Sequence, residues 1–254
     1  MQLPGGRPSL LVHSVGGASS RIAFALDFHD VDAAREVARA VAPSVGMLKV
    51  GLELFTAAGS RGVELGRELG LPVFLDLKLH DIPETVDRAV ARVAALGARY
   101  VTVHASGGPA MLRRATARAR NEATGLEVVA VTVLTSMDAA ELARTGVPAS
   151  PLDHVRRLAS LAYEEGVRAF VCSPREVAPL RGDLGSGVTL ITPGIRPSSH
   201  DDDDQKRVAT ATQAVRDGAD WLVVGRPIRD ASDPAEAAAS LAREVELAAG
   251  RRGA

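Results

Sequence analysis

Eight short apolar runs recur along the chain, at residues 22–26, 47–51, 73–78, 100–104, 128–134, 169–173, 189–194 and 221–225. Each is apolar at consecutive rather than alternate positions, which fits strands buried on both faces of a parallel sheet. The stretches between them change period. Val31, Ala34, Val37, Ala38 and Val41 follow i, i+3, i+4 spacing, as do Val86, Ala89, Val90, Val93 and Ala94, with Gly97 placed as a helix stop. Val155, Leu158, Ala159 and Ala162 repeat the pattern before Gly166, and a last helix runs from near Pro234 to Leu247. Strand and helix in alternation imply parallel pairing. Eight such units predict a single α/β domain, a closed (β/α)8 TIM barrel over residues 21–250, after a Gly- and Ser-rich extension at 1–20. An open doubly wound sheet is the other arrangement, but it would carry a glycine-rich phosphate loop after the first strand. Asp27-Phe28-His29-Asp30 is not one.

Composition narrows the partners. The 254 residues carry a formal net charge of -1, too small a field to draw nucleic acid or an anionic membrane. Aromatics make up 3%, which argues against base-stacking platforms. No stretch approaches the roughly 20 apolar residues of a membrane span, and Leu10-Leu11-Val12 is too short for a signal-peptide core. The one cysteine, Cys172, sits in an apolar run and reads as a small buried hydrophobe, compatible with a reducing cytoplasm.

The chemistry collects at the third run, Phe74-Leu75-Asp76-Leu77-Lys78-Leu79-His80-Asp81-Ile82-Pro83. On a strand Asp76 and Lys78 share one face, and Leu75, Leu77 and Leu79 the other. An acid and an amine inside an apolar strand cost several kcal/mol in desolvation unless paired, and charges at the carboxyl end of a barrel strand are usually catalytic. Asp81 follows where the strand should end. With Glu84 it suits a capping box, and Pro83 suits the opening turn of a helix. Lys49 is flanked by Met47, Leu48 and Val50, so its ammonium needs a partner; Asp27 and Asp76 on neighbouring strands are the candidates. We therefore expect Asp27, Lys49, Asp76 and Lys78 to form one network of alternating sign in the barrel mouth.

The last two strand ends read as a phosphate site. Thr192-Pro193-Gly194-Ile195-Arg196 and Val224-Gly225-Arg226-Pro227-Ile228 place glycines where backbone N–H groups can approach an anion, and Arg226 supplies a fork for its oxygens. Residues 197–207 read as a polar lid, with Gln205 a further phosphate donor. The four aspartates at 201–204 read as solvated rather than metal-binding. Arg113, Arg114, Arg118 and Arg120 read as a solvated helix face, and His104 as structural. No cluster has metal-ligand spacing.

The pattern Asp-x-Lys-x-x-Asp-Ile-Pro, complete here as Asp76, Lys78, Asp81, Ile82 and Pro83, resembles the signature of the orotidine 5′-phosphate decarboxylase family in its bacterial form. The resemblance extends in chain order over residues 21–242. It includes Leu26-Asp27, Lys49-Val50-Gly51, Val103-His104-Ala105-Ser106-Gly107-Gly108, Thr135-Ser136, Gln205 and Gly225-Arg226-Pro227-Ile228. It implies decarboxylation of orotidine 5′-monophosphate to UMP and CO2 in pyrimidine biosynthesis, without cofactor or metal. It also implies roles. Lys78 would protonate C6 of the pyrimidine and Asp76 would sit against the substrate carboxylate. Lys49 and Asp27 would hold the ribose hydroxyls. Thr135 or Ser136 would contact the ring, and Gln205 and Arg226 the phosphate, with Pro193, Gly194, Arg196 and Gly225 lining that end. Asp81 and Thr85 would reach the neighbouring active site across a homodimer. Two alternatives are a magnesium-dependent sugar-phosphate enzyme resembling 3-keto-gulonate 6-phosphate decarboxylase, and a non-catalytic barrel that binds phosphate ligands. Ile82-Pro83 and Gln205 favour the pyrimidine reading over the first. The intact charged set argues against the second.

Overall fold

The structure, a computed structural model, describes residues 21–196 and 209–250. Eight strands alternate with helices. The order is β1 (Ile22–Ala25), α1 (Val31–Val41), β2 (Met47–Val50), α2 (Leu52–Ala58), α3 (Ser60–Leu69), β3 (Val73–Leu79), α4 (Pro83–Ala95), β4 (Tyr100–His104), α5 (Pro109–Asn121) and β5 (Glu127–Val131). It continues with α6 (Ala139–Arg144), α7 (Pro151–Glu164), β6 (Ala169–Val171), α8 (Pro174–Leu184), β7 (Thr189–Thr192), α9 (Ala211–Asp217), β8 (Trp221–Val224), α10 (Arg226–Arg229) and α11 (Pro234–Gly250). The strands pair in chain order, all parallel, and β8 closes onto β1 through Ile22↔Leu222, Ala23↔Val223 and Phe24↔Val224. This is the expected (β/α)8 barrel, and the closure excludes the open sheet.

Helix ends follow from local chemistry. Asp30 caps α1, its Oδ1 accepting from the N–H groups of Asp32 and Ala33, both at 2.8 Å. Gly97 takes φ 79 after α4, a left-handed conformation that glycine adopts without strain.

Alternation along the strands splits the core in two. Inward residues Ala23, Met47, Phe74, Tyr100, Val129, Ala169 and Ile191 form a plug inside the barrel, with Phe74 and Tyr100 edge to face at 6.1 Å. Outward residues such as Phe24, Leu48, Leu75, Val101 and Phe170 pack against the helices. The plug fills the middle of the barrel, and above it, at the carboxyl ends of the strands, inward polar side chains reach a cleft.

Two expectations need correcting. Asp81 does not cap α4. The N-cap position is Ile82, without a side-chain cap, and the Asp81 carboxylate accepts only the adjacent Ile82 N–H, at 2.6 Å. Pro83 at the first helical position makes a cap less necessary, because it has no N–H to satisfy. The arginines of α5 are also not a merely solvated face. Arg118 pairs with the buried Asp87 of α4 at 2.8 Å and Arg114 with Glu84 at 2.5 Å, while Arg113 pairs with Glu165 at 2.8 Å after α7. Arg120 donates to the Gly166 carbonyl at 3.0 Å. Their aliphatic stems and forked heads clamp α5 to both neighbours.

Candidate active site

A cleft of about 420 Å³ opens at the carboxyl ends of the strands. Its floor is apolar: Ala25, Phe74, Val131, Val171 and Val223, each two residues from another inward position on its strand. Its walls carry Asp27, Lys49, Asp76 and Lys78. The same period of two that buries Phe74 brings Asp76 to the cleft, and a break in the strand brings Lys78 beside it.

The four charges pair as expected. Lys49 Nζ lies 3.0 Å from Asp27 Oδ1, and Lys78 Nζ 2.9 Å from Asp76 Oδ2. Lys49, 9% exposed, is nearly out of water. Burial alone would raise the Asp76 carboxyl, but the ammonium charges of Lys49 and Lys78, with hydrogen bonds from Lys78 and Thr102, outweigh it and hold Asp76 below the usual carboxylate range. Asp76 is thus an anion between two cations. Gly51 leaves the room for this: a Cβ there would lie 2.9 Å from Lys49 Nζ and 3.3 Å from Asp27 Oδ1.

The strand that delivers the second pair is irregular. Leu75 pairs with Val101 and Leu79 with Val103, so Asp76, Leu77 and Lys78 all stand opposite Thr102. Lys78 has φ 52, in the left-handed region, which costs a non-glycine residue about 1–2 kcal/mol. Strain of this kind gathers at functional sites. Alternation alone predicts a plain strand here and gives no sign of the bulge.

The opposite wall gathers the residues expected at a phosphate end. Pro193, Gly194, Arg196, Gly225 and Arg226 line it, with Thr135 on the rim. Gly194 takes φ 80, and a Cβ on Gly225 would meet Ala25 Cβ and Asp27 Oδ2, each at 3.4 Å. The Ala209 N–H donates to the Gly194 carbonyl at 3.2 Å and the Arg196 N–H to the Ala209 carbonyl at 3.0 Å. Gln205 and the lid expected at 197–207 lie outside the described residues.

Two residues that line the cleft, and one buried behind it, are missing from the set expected above. Arg229, one helical turn after Arg226, donates to the Asp27 carbonyl at 3.0 Å and ties the end of β1 to α10. Glu53 lines the same rim. Thr102 binds both members of the Asp76–Lys78 pair; its inward parity with His104 was the available signal. In contrast, Ser136 is exposed beside Thr135 and does not line the cleft. Asp81, Ile82 and Thr85 are exposed beyond the end of β3, also outside its lining. His104 packs at a tilt against His80, with ring centroids 5.3 Å apart. Burial, His80 and Lys78 hold its pKa below the ordinary value against the pull of Asp76. Among the described residues no group of three His, Cys, Asp or Glu side chains is placed to hold a metal ion, and no helix is long and apolar enough to cross a membrane.

The pattern of the orotidine 5′-phosphate decarboxylase / HUMPS family matches residues 20–241. This chain belongs to that family. It is 54% identical over 224 residues to the orotidine 5′-phosphate decarboxylase of Anaeromyxobacter sp. strain K, covering 88% of this chain and 97% of that one. It is 52% identical over 228 residues to the enzyme of the same name from Thermobifida fusca, covering 89% and 95%. The crystal structure of orotidine 5′-phosphate decarboxylase from Lactobacillus acidophilus superposes with a TM-score of 0.77 at 33% identity, over 88% of this chain and 98% of that one. The family match spans the cleft from Asp27 to Arg229, so every wall described above lies within it.

Proposed function

We propose that this chain is an orotidine 5′-phosphate decarboxylase, a carboxy-lyase that converts orotidine 5′-monophosphate to UMP and CO2. The observation that carries the reading is the pairing of Asp27–Lys49 and Asp76–Lys78 above an apolar floor, facing a wall with Gly194, Gly225 and Arg226. A ligand with an anion at one end and a reacting centre at the other fits such a cleft.

The chemistry follows from the charges. As the bond between C6 and the carboxylate breaks, its electron pair stays on C6 and CO2 departs. The Lys78 ammonium then gives a proton to C6, and the resulting amine recovers one from water. Negative charge grows on C6 only along this path, so a fixed ammonium stabilises the transition state more than the ground state. Asp76 holds the Lys78 head group in place. Asp27 and Lys49 hold the ribose hydroxyls, Thr135 faces the pyrimidine, and Arg226 with the Gly194 and Gly225 backbone grips the phosphate. That grip, remote from C6, supplies binding energy to the reacting centre.

Asp81 and Thr85 are exposed and lie outside the lining of their own cleft. This supports a homodimer in which they complete the partner's site, in an enzyme of the cytoplasm. Mixing Asp81→Asn with Lys78→Ala tests it: hybrid dimers should regain turnover that neither variant shows alone, and no recovery on mixing contradicts a shared site.

The test of the reaction is the loss of orotidine 5′-monophosphate absorbance in EDTA, beside Lys78→Ala. Turnover that survives EDTA and vanishes in the variant is expected. Activity confined to a sugar phosphate with magnesium would replace this reading with a metal-dependent one, and ligand binding without turnover on either substrate would leave a binding protein.

A further inference from the structure

We infer that Thr102 is a positioning residue: its hydroxyl, set against the bulge in β3, determines where the Asp76 carboxylate and the Lys78 ammonium stand. The inference rests on the reading of the cleft given above and adds to it a residue that need not touch substrate.

Thr102 is fully buried on β4. It stands alone opposite Asp76, Leu77 and Lys78, where the β3–β4 ladder loses its register. Its Oγ1 fills that break. The Lys78 N–H donates to it at 2.7 Å, and it lies 3.0 Å from Asp76 Oδ1. Direction is fixed by chemistry, because an N–H can only donate. The hydroxyl oxygen therefore accepts from Lys78, and its own hydrogen is left for the carboxylate. One side chain thus anchors the backbone of one charged residue and the head group of the other.

The consequence is a closed circuit. Lys78 N binds Thr102, Thr102 binds Asp76 Oδ1, and Asp76 Oδ2 accepts from Lys78 Nζ at 2.9 Å. With φ at 52, the Lys78 backbone is held in a conformation that it would leave if the bond from its N–H were lost. Bulges re-aim side chains in this way. The bulge turns the Lys78 side chain back over Asp76, and Thr102 is the only residue of β4 placed to hold it there.

Valine matches threonine in shape but lacks the hydroxyl. Thr102→Val should lower kcat for orotidine 5′-monophosphate about 10²-fold, the scale of a 1 Å misplacement. KM should stay within about threefold, because the phosphate wall is untouched. Thr102→Ser, which restores the hydroxyl, should recover most of the loss. A purely structural role predicts a different pattern: kcat falling with thermal stability, and serine recovering no more than valine. A second readout is independent of turnover. The Lys78 side-chain carbon resonance, identified by its absence in Lys78→Ala, should shift in Thr102→Val and return in Thr102→Ser. A wild type that turns over, together with a valine variant of unchanged kcat and unchanged resonance, overturns the role of Thr102. A wild type without turnover refutes the assignment of the reaction instead, and the resonance then still decides whether Thr102 sets the position of Lys78.

Discussion

Two clusters of charge lie one strand and one turn apart, and they could hardly be built more differently. In the mouth, Lys49, Asp76 and Lys78 from strands and Asp27 from just past the end of one project into a single cleft, Lys78 from a left-handed backbone. On the flank, Glu84 and Asp87 of α4 meet Arg114 and Arg118 of α5 from regular helices. Asp76 and Asp87 are both largely buried, and arginine or lysine partners hold both carboxyls below the usual range. The flank's pairs bridge two helices and lie outside the cleft. The mouth opens its pairs onto a cleft and tolerates strain around them. Pairing of charges therefore does not mark a catalytic site. Convergence on a cleft with a backbone held out of its comfortable range does.

The largest effect should separate the two at once. Lys78→Ala should lower kcat/KM by about 10⁴-fold or more, since it removes both a proton donor and a fixed charge. Steady-state kinetics checks this, and a loss of less than tenfold would place the chemistry elsewhere.

Acid titration sharpens the contrast for Asp76. Its folded pKa lies below the unfolded value of about 3.9. The stability it contributes is therefore complete above that value and is lost as pH falls through the lower folded one. Accordingly, kcat should not lose activity through Asp76 between pH 7 and 5, and the acid limb of thermal stability should flatten in Asp76→Asn only below about pH 4. A kcat limb with a midpoint above 5 that disappears in Asp76→Asn would contradict the pairing.

Gly51→Ala probes the mouth without touching a charge. Gly51 has φ −92, which alanine adopts freely, so the cost falls on the Lys49 ammonium that the new Cβ would crowd. A loss of about tenfold in kcat/KM is expected with little change in melting temperature. Unchanged kinetics would show that the Lys49 position is not critical.

The smallest kinetic effect belongs to the flank. Arg118→Ala should leave kcat/KM within about twofold and lower Tm by about 2–4 °C, as expected for a helix-clamping pair that is partly exposed. A tenfold loss of activity would couple the flank to the mouth.

Much of this was legible in the chain, for physical reasons. Strands buried on both faces leave uninterrupted apolar runs, so all eight could be placed. Most of their carboxyl ends were set late, by three residues at β5, because Leu134 and Thr135 turn away from the sheet to line the cleft, whereas β4 was matched and β3 runs one residue further than expected. Charges on an apolar strand stand out, which exposed Lys49, Asp76 and Lys78. Thr102 did not stand out, because a threonine on a strand is ordinary and its work depends on a register break made by another strand. Arg229 was hidden likewise, since its partner is a main-chain carbonyl 202 positions away. The arginines of α5 looked solvated because their acids lie on other helices, beyond any local spacing rule.

The most direct test of the difference between mouth and flank is to measure kcat/KM for orotidine 5′-monophosphate and Tm together, in Asp76→Asn and Asp87→Asn. The account predicts opposite patterns. Asp76→Asn should lose activity about 10²-fold or more even where it remains folded, and Asp87→Asn should melt earlier with its activity nearly kept. An Asp76→Asn protein that turns over normally but melts as early as Asp87→Asn would show that the mouth charges serve the fold, and would contradict the account.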